Sequence, residues 1–388
     1  MFTNKTILMQ MQALISGYDF KKVVLEHNGD KWIKKFSTRN LLNIMIYVHM
    51  TSKSSLRDIL DSLTSRTKLW YHLGIESISR NNLSHALMNR SYEIFERTFY
   101  MMLGKLQAER GPQSDKRFKF KMPLKIIDST TISLCLTLFS WAKFRRTKGG
   151  IKLDVMLDCK DQIPNFVNFS DAGKHDIKAV DSMPIDSRTI YTLDRGYFCY
   201  KFMAKINEKG SFFVIRTKSN TQYRQLDRRK KTDPDIKADW IVKIDGVKVN
   251  EYPYKLRVVK YYDRIKKRTF EYMTNNFDLS AKTIADIYKA RWDIELFFKW
   301  IKQNLKIKKF IGTTENAVKI QIWTALIVFL LLEYIRFLSR TCFTMLKIFR
   351  VLSENILSAY ELFDLLRKNP PRSIKLLATN ELQLTFNY

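Results

Sequence analysis

Two apolar runs, each ending on an aspartate, limit the fold of this chain more than any other feature. Leu124-Lys125-Ile126-Ile127 runs into Asp128-Ser129-Thr130, and Thr189-Ile190-Tyr191-Thr192-Leu193 runs into Asp194-Arg195-Gly196-Tyr197. Short apolar runs bounded by polar turn formers read as buried strands, so each aspartate is expected where a strand meets a loop. In an open sheet, ligand sites gather beyond the strand ends. Taken singly, a turn or capping residue is the plainer reading of either aspartate.

A third carboxylate lies in the stretch Tyr288 to Lys302, YKARWDIELFFKWIK. On a single helix turning about 100° per residue, Tyr288, Arg291, Glu295 and Lys302 fall within roughly 60° along about 21 Å. One polar stripe then presents an acid, two cations and a phenol. Ile287, Ala290, Ile294, Phe298, Ile301 and Leu305 form an apolar stripe beside it, as on a helix packed against a core. A solvated amphipathic helix gives the same pattern. If the three acids converge, they suit two Mg²⁺ ions, with Mn²⁺ as a substitute. Such ions prefer oxygen ligands and, about 3.5 to 4 Å apart, serve phosphoryl transfer.

Further short motifs accompany these residues in order: Gly150-Ile-Lys-Leu, Lys174-His175-Asp176, Phe212-Phe-Val-Ile-Arg216-Thr-Lys218-Ser-Asn220, and Tyr-x2-Arg-x3-Glu-x6-Lys over Tyr288 to Lys302. With them the chain resembles bacterial DDE transposases of the insertion sequence four family, over most of its length. The last motif is highly specific, whereas Asp128-Ser-Thr alone is weak. The resemblance implies that Asp128, Asp194 and Glu295 bind the metals and act in catalysis, and that Tyr288, Arg291 and Lys302 engage phosphates near a transposon end. It further implies cut-and-paste transposition, with inverted-repeat ends cut by water and the freed 3′-OH joined to target DNA, commonly through a hairpin, within a synaptic homodimer. One departure is Asp154, where many relatives carry histidine.

Composition agrees with a double-stranded DNA partner. Sixty-eight Lys and Arg against 38 Asp and Glu leave a formal charge of +30, well beyond what solubility requires. A membrane-surface protein can also be this basic. With 45% hydrophobic and 13% aromatic residues, the chain can bury a sizeable core and form two or three domains. Lys143-Phe-Arg145-Arg146-Thr-Lys148 alternates cations with an aromatic, which suits contact with a DNA backbone. Arg145, Arg146 and Lys148 therefore join the candidate phosphate contacts, with a solvated loop as the plain alternative, and Arg195, next to Asp194, is counted with them. His175 beside Asp176 reads as a supporting or phosphate-contact pair, because hard Mg²⁺ seldom needs imidazole.

Cys135, Cys159, Cys199 and Cys342 show no zinc or redox spacing and read as thiols in a reducing cytoplasm, where a DNA-acting protein is expected at the nucleoid. The beginning MFTNKTILMQMQ lacks the pattern of a secretory signal. The most apolar run, Trp323 to Leu332, falls short of the about 20 residues a span requires, so a buried core helix and no membrane partner are expected.

These features combine into an α/β chain: a ribonuclease-H-like catalytic core interrupted by a β-strand insertion, with an N-terminal helical domain and C-terminal helices. Residues 1–110 read as a helical DNA-binding domain, with amphipathic runs near Thr38–Met50, Ser55–Ser65 and Asn82–Gln107. Arg57, Arg66, Arg80, Asn81, Asn82 and Arg90 are its candidate groove contacts, although a solvated face is the plainer reading for each. Ser54-Ser-Leu-Arg57-Asp58-Ile and Tyr71-His-Leu-Gly-Ile75 resemble the N-terminal domain that accompanies the family. Arg110 to Arg117 breaks helical periodicity as a linker. Residues 118–217 and 280–340 make the core. Strands are expected at Ile151–Leu157, Phe166–Phe169 and Phe212–Arg216, with a helix near Asp176. The insertion spans 218–279, with strands at Trp240–Ile244, Leu256–Tyr262 and Thr269–Met273, and the basic run Arg224 and Arg228-Arg-Lys-Lys231. Residues 341–388 form a C-terminal helical region. Two alternatives to transposition stay open: a ribonuclease-H-like nuclease that cuts without joining, and a non-enzymatic DNA-binding regulator.

Overall fold

The computed structural model describes residues 5–367, apart from 66, 68–69, 76–77, 112–114, 146–147, 172, 174–181, 232 and 308. Arg66, Arg146, Lys174-His175-Asp176 and the helix expected near Asp176 lie outside the described residues. The chain divides into two compact units. One gathers residues up to Arg110 with Lys309–Gly312 and the chain from Asn316 on, and the other holds Gly111–Lys308 with Thr313–Glu315.

The first unit is helical: α1 (Ile7–Ala13), α2 (Gly17–Glu26), α3 (Thr38–Thr51), α4 (Leu56–Thr64), α5 (Trp70–Leu73), α6 (Arg80–Asn89) and α7 (Glu93–Arg110). Serine or threonine hydroxyls at Thr6, Ser16, Ser37, Ser55 and Ser79 accept from the backbone N–H three residues on, which fixes where these helices begin. The expected run Asn82–Gln107 is two helices, α6 and α7. Arg90 ends the first in extended backbone and is buried, donating to Phe36 O at 2.8 Å. It is thus a structural residue rather than a groove contact. Arg57, Arg80, Asn81 and Asn82 are exposed.

The second unit is built on a sheet of ten strands among the described residues. β1 (Leu124–Leu134), β2 (Lys143–Arg145), β3 (Lys148–Asp158) and β4 (Pro164–Asp171) form antiparallel pairs around β3. β5 (Ile190–Leu193) lies parallel to β1, α8 (Tyr200–Glu208) crosses over, and β6 (Phe212–Arg216) lies parallel to β5. The order β4-β3-β1-β5-β6, an antiparallel meander followed by two parallel strands, is a ribonuclease-H-like core. Tyr200, Phe202, Met203 and Ile206 of α8 bury their side chains in the apolar cluster shared with Tyr191, Leu193, Phe213 and Ile215.

β7 (Tyr223–Arg228), β8 (Ile236–Ile244), β9 (Leu256–Asp263) and β10 (Arg268–Thr274) are the insertion. β7 carries Arg224 and Arg228 of the basic run at an exposed edge, the rest of the run follows it, and it is a strand that the sequence pattern does not predict. The insertion interrupts the core in sequence but extends it in space, because β10 pairs antiparallel with β6 and covers an edge that would otherwise leave backbone groups unpaired. Within it, Arg257 is 1% exposed. Its Nε and Nη2 donate to the two oxygens of Asp239 at 2.8 and 2.7 Å, and its Nη1 donates to Asn276 O at 3.3 Å and Leu279 O at 2.5 Å. This buried fork fastens two insertion strands to the loop that enters the next helix.

That loop leads into α9 (Ala281–Ala290), capped by Ser280, and α10 (Trp292–Asn304). The expected single helix is broken at Arg291, where Arg291 N–H bonds Tyr288 O and Ile294 N–H bonds Arg291 O, both three residues apart. α9 packs on β6, β9 and β10, whereas α10 packs on β1. Ile287, Ile294, Phe298, Ile301 and Leu305 of the expected apolar stripe are buried, and Ala290 is half-buried.

α11 (Glu315–Ser339) and α12 (Met345–Glu354) pack with the first unit. Residues 316–340, expected with the catalytic core, therefore group with the N-terminal helices. His49 Nε2 of α3 lies 3.0 Å from Thr324 Oγ1 of α11, and Arg110 pairs with Glu333 at 3.1 Å. The described part of the C-terminal segment, 341–367, also groups with this unit, where Ile7 and Leu8 N–H donate to Ser358 O and Ile356 O at 3.0 and 2.9 Å. α11 is 25 residues, longer than its apolar run, and long and apolar enough to span a membrane; 94% of its most apolar 18-residue stretch is buried against protein.

Candidate active site

Asp128 and Asp194 reach the site by different routes. Asp194 follows the last residue of β5, as expected, and its Oδ2 accepts from Gly196 N–H at 3.3 Å. Asp128 does not end its strand. β1 continues to Leu134 because β3 pairs with it along that whole length, whereas parallel β5 stops opposite Ile127. Asp128 thus lies in mid-strand at the place where its other neighbour runs out. Glu295 sits in the first turn of α10, where a carboxylate is favoured by the helix dipole.

All three acids approach one guanidinium. Arg291 Nη1 donates to Asp128 Oδ2 at 3.1 Å, its Nε lies 4.0 Å from Asp194 Oδ1, and its Nη2 pairs with Glu295 Oε1. Side-chain exposure is 17% at Asp128, 45% at Asp194, 33% at Glu295 and 15% at Arg291. Burial pushes the Asp128 carboxyl up to about 7, aided by the charges of Asp194 and Glu295 and opposed by the Ser129 N–H and Arg291. For Arg291, burial opposes the charge, but the Glu295 hydrogen bond and the Asp128 charge outweigh it and raise the value.

The remaining members of the helix motif are held nearby. The Tyr288 ring lies 4.7 Å from that of Tyr272 and 5.9 Å from the Arg291 carbon, and burial raises the value of its phenol. Lys302 Nζ binds Thr130 Oγ1 and donates to Thr131 O at 3.1 Å, so it ties α10 to the part of β1 beyond Asp128. Lys148 is exposed at the start of β3, and Arg145 pairs with it through the backbone. Arg195 is exposed and lines a cavity of about 830 Å³ with Arg216, Lys218, Arg268, Phe270 and Glu271. Sequence reasoning missed Arg268 as part of that basic surface, since its cationic neighbours come from distant strands.

It also missed Arg117. Its Nη1 donates to Asp293 Oδ2 at 2.6 Å, while Nη2 donates to Asp115 Oδ2 at 2.9 Å and to the Cys159 carbonyl. Asp293 lies between Arg291 and Glu295 on α10, so this arginine fixes the helix end against the close of β3. Nothing in the sequence marks a pair so far apart. Asp154, the departure from the family pattern, is fully buried and accepts from Ser170 Oγ at 2.7 Å.

The donor set is three carboxylates, which fits hard divalent cations. Among the described residues, however, no three acidic, histidine or cysteine groups form a ready metal cage. The acids gather around Arg291 instead.

The Transposase DDE domain family matches residues 119–331, more than half of the chain, and a domain of unknown function (DUF4372) matches residues 3–76. A probable transposase for an insertion sequence element of Geobacillus stearothermophilus is 27% identical over 84% of this chain and 83% of its own. A putative transposase of Sinorhizobium fredii is 32% identical over 68% of this chain and 74% of its own. Among solved structures, the piggyBac transposase synaptic complex with hairpin DNA gives a TM-score of 0.49 at 9% identity, over 92% of this chain and 81% of that one. From the length of the family match and the identity to the second relative, the chain belongs to the DDE transposases, with insertion-sequence transposases among its relatives.

Proposed function

We propose that this transposase binds the inverted-repeat ends of its own element, cuts them by hydrolysis and joins the freed 3′-OH ends to target DNA. The observation that supports this is the approach of Asp128, Asp194 and Glu295 to a single cationic point from β1, the end of β5 and α10. Membership of the DDE family implies a divalent metal in general; our reading is two Mg²⁺ ions, replaceable by Mn²⁺, held by these three carboxylates. When bound, the ions supply activation of the attacking oxygen and neutralise charge on the leaving one.

In the first step water attacks a backbone phosphorus, the bond to the 3′ oxygen breaks and a 3′-OH is released. In the second that 3′-OH attacks a target phosphorus and displaces a 3′ oxygen there. Neither step forms a covalent bond to the protein, so this chain's own residues have mainly to position and to neutralise. Arg291 presents a planar fork to phosphate oxygens, Lys302 a point charge, and Tyr288 a hydroxyl donor. Arg145, Arg146, Lys148 and Arg195 contact the backbone farther along the duplex. Residues 1–110 read the DNA ends, 118–217 and 280–308 carry the catalytic elements, 218–279 extend the DNA-facing surface, and a homodimer synapses two ends in the bacterial cytoplasm at the nucleoid.

The test is cleavage and joining on the inverted repeats flanking the coding region. Cutting without joining of pre-cut ends identifies a nuclease instead. Specific binding with no cutting under Mg²⁺ or Mn²⁺ identifies a regulator.

A further inference from the structure

Arg291 is better matched to three carboxylates than a phosphate-binding residue needs to be. Each of its three nitrogens faces a different acid: Nη1 Asp128, Nη2 Glu295 and Nε Asp194. A lysine has one nitrogen on a flexible stem and cannot divide itself in this way, whereas a guanidinium is rigid and presents its N–H groups in a fixed fork. The backbone contributes as well, because the break between α9 and α10 falls at Arg291. Three partly buried carboxylates repel one another, and a cation at their centre offsets that repulsion.

Divalent ions would use the same lone pairs. Asp128 Oδ2 and Glu295 Oε1, which now accept from the guanidinium, are carboxylate oxygens that a hard cation requires. One position cannot hold both.

We propose that Arg291 is the built-in counter-cation of the metal-free acid triad, which divalent metal must displace, so that metal loading frees its guanidinium for DNA phosphate. This rests on the metal-binding reading above and deepens it. The arginine holds the acids together before metal arrives and lowers apparent metal affinity by competition. Metal entry and exposure of a phosphate-binding fork become one exchange.

The test uses the full DNA-free chain, titrated with MnCl2 or MgCl2 in a calorimeter and unfolded thermally with and without chelator. Arg291→Gln is expected to melt lower than wild type in chelator yet to bind metal about tenfold more tightly, the size of one lost ion pair of a little over 1 kcal/mol. Arg291→Lys is expected between the two on both measures. Asp128→Asn, expected to bind weakly, reports whether the heat comes from this site. Equal or weaker metal binding by Arg291→Gln overturns the exchange and leaves the metal reading intact. Should Arg291→Gln not fold, the lysine variant decides, and its failure to bind more tightly than wild type overturns the exchange. Absence of Asp128-dependent binding in wild type and Arg291 variants alike removes the metal reading and the exchange together.

Discussion

Ile127 and Leu193 are the last residues paired between β1 and β5, so the next residue along each strand is an acid, Asp128 on one and Asp194 on the other. Parallel pairing in register brings this pair side by side, and the turn that follows β5 holds Asp194 through the Gly196 N–H. The third acid comes from α10, which packs on the same strand β1 and is fastened there by Lys302.

If the three acids hold the metals, removing any one charge should stop chemistry and spare binding. Asp128→Asn, Asp194→Asn and Glu295→Gln are each expected to lose on the order of a thousandfold in metal-dependent cleavage. Affinity for the ends should stay within about threefold, since DNA binding rests on many cations. Cleavage at wild-type rate by all three variants would sink the assignment.

The raised value of Asp128 makes stability depend on pH in the metal-free protein. Its folded value, about 7, lies above the ordinary 3.8. The contribution of this group to stability is therefore fully present below about pH 4 and lost as pH rises through 7. Asp128→Asn should be more stable than wild type near pH 8, by an amount on the order of a few kcal/mol, with the gap closing toward pH 4. Urea unfolding in chelator measures it, and a gap independent of pH contradicts it.

The Asp239–Arg257 fork is buried on both sides, so breaking it from one side strands a charge. Asp239→Ala is expected to cost about 3 to 5 kcal/mol. Since Arg257 also binds the carbonyls of Asn276 and Leu279, the loss should loosen the entry to α9. Hydrogen exchange should therefore rise at residues 276–284 before it rises in β1. Uniform loss of protection across the sheet would show that the fork serves stability alone.

Arg195, Arg216 and Arg268 line a cationic cavity beside Asp194, with the Arg216 and Arg268 carbons 4.9 and 5.5 Å from the Phe270 ring centre. If DNA phosphate enters it, glutamine at any one of these positions should weaken DNA binding across sequences. The salt dependence of log affinity should fall by about 1 in slope for each phosphate that is no longer neutralised. An unchanged slope for all three places the DNA elsewhere.

Much of the strand pattern could be read directly. Apolar runs at Leu124–Ile127, Ile190–Leu193 and Phe212–Arg216 are strands, and those expected at Ile151–Leu157 and Leu256–Tyr262 sit within one or a few residues of their observed ends. β7 was not legible because its residues are nearly all exposed and polar, and pairing with β8 alone makes it a strand. The break at Arg291 was hidden too, because its residues have ordinary helical periodicity and only packing of α9 and α10 on different strands divides them.

The sequence by itself determined which residues carry acid, cation and phenol, which runs bury themselves, and that the chain is strongly basic, because those are properties of side-chain chemistry and local periodicity. It could not say that β1 outlasts β5, that the insertion lengthens the core sheet, or that Arg291 stands among the acids it accompanies. Those outcomes depend on pairing between segments far apart in the chain. Strand register and helix packing settle them, and neither is a property of any single stretch of residues.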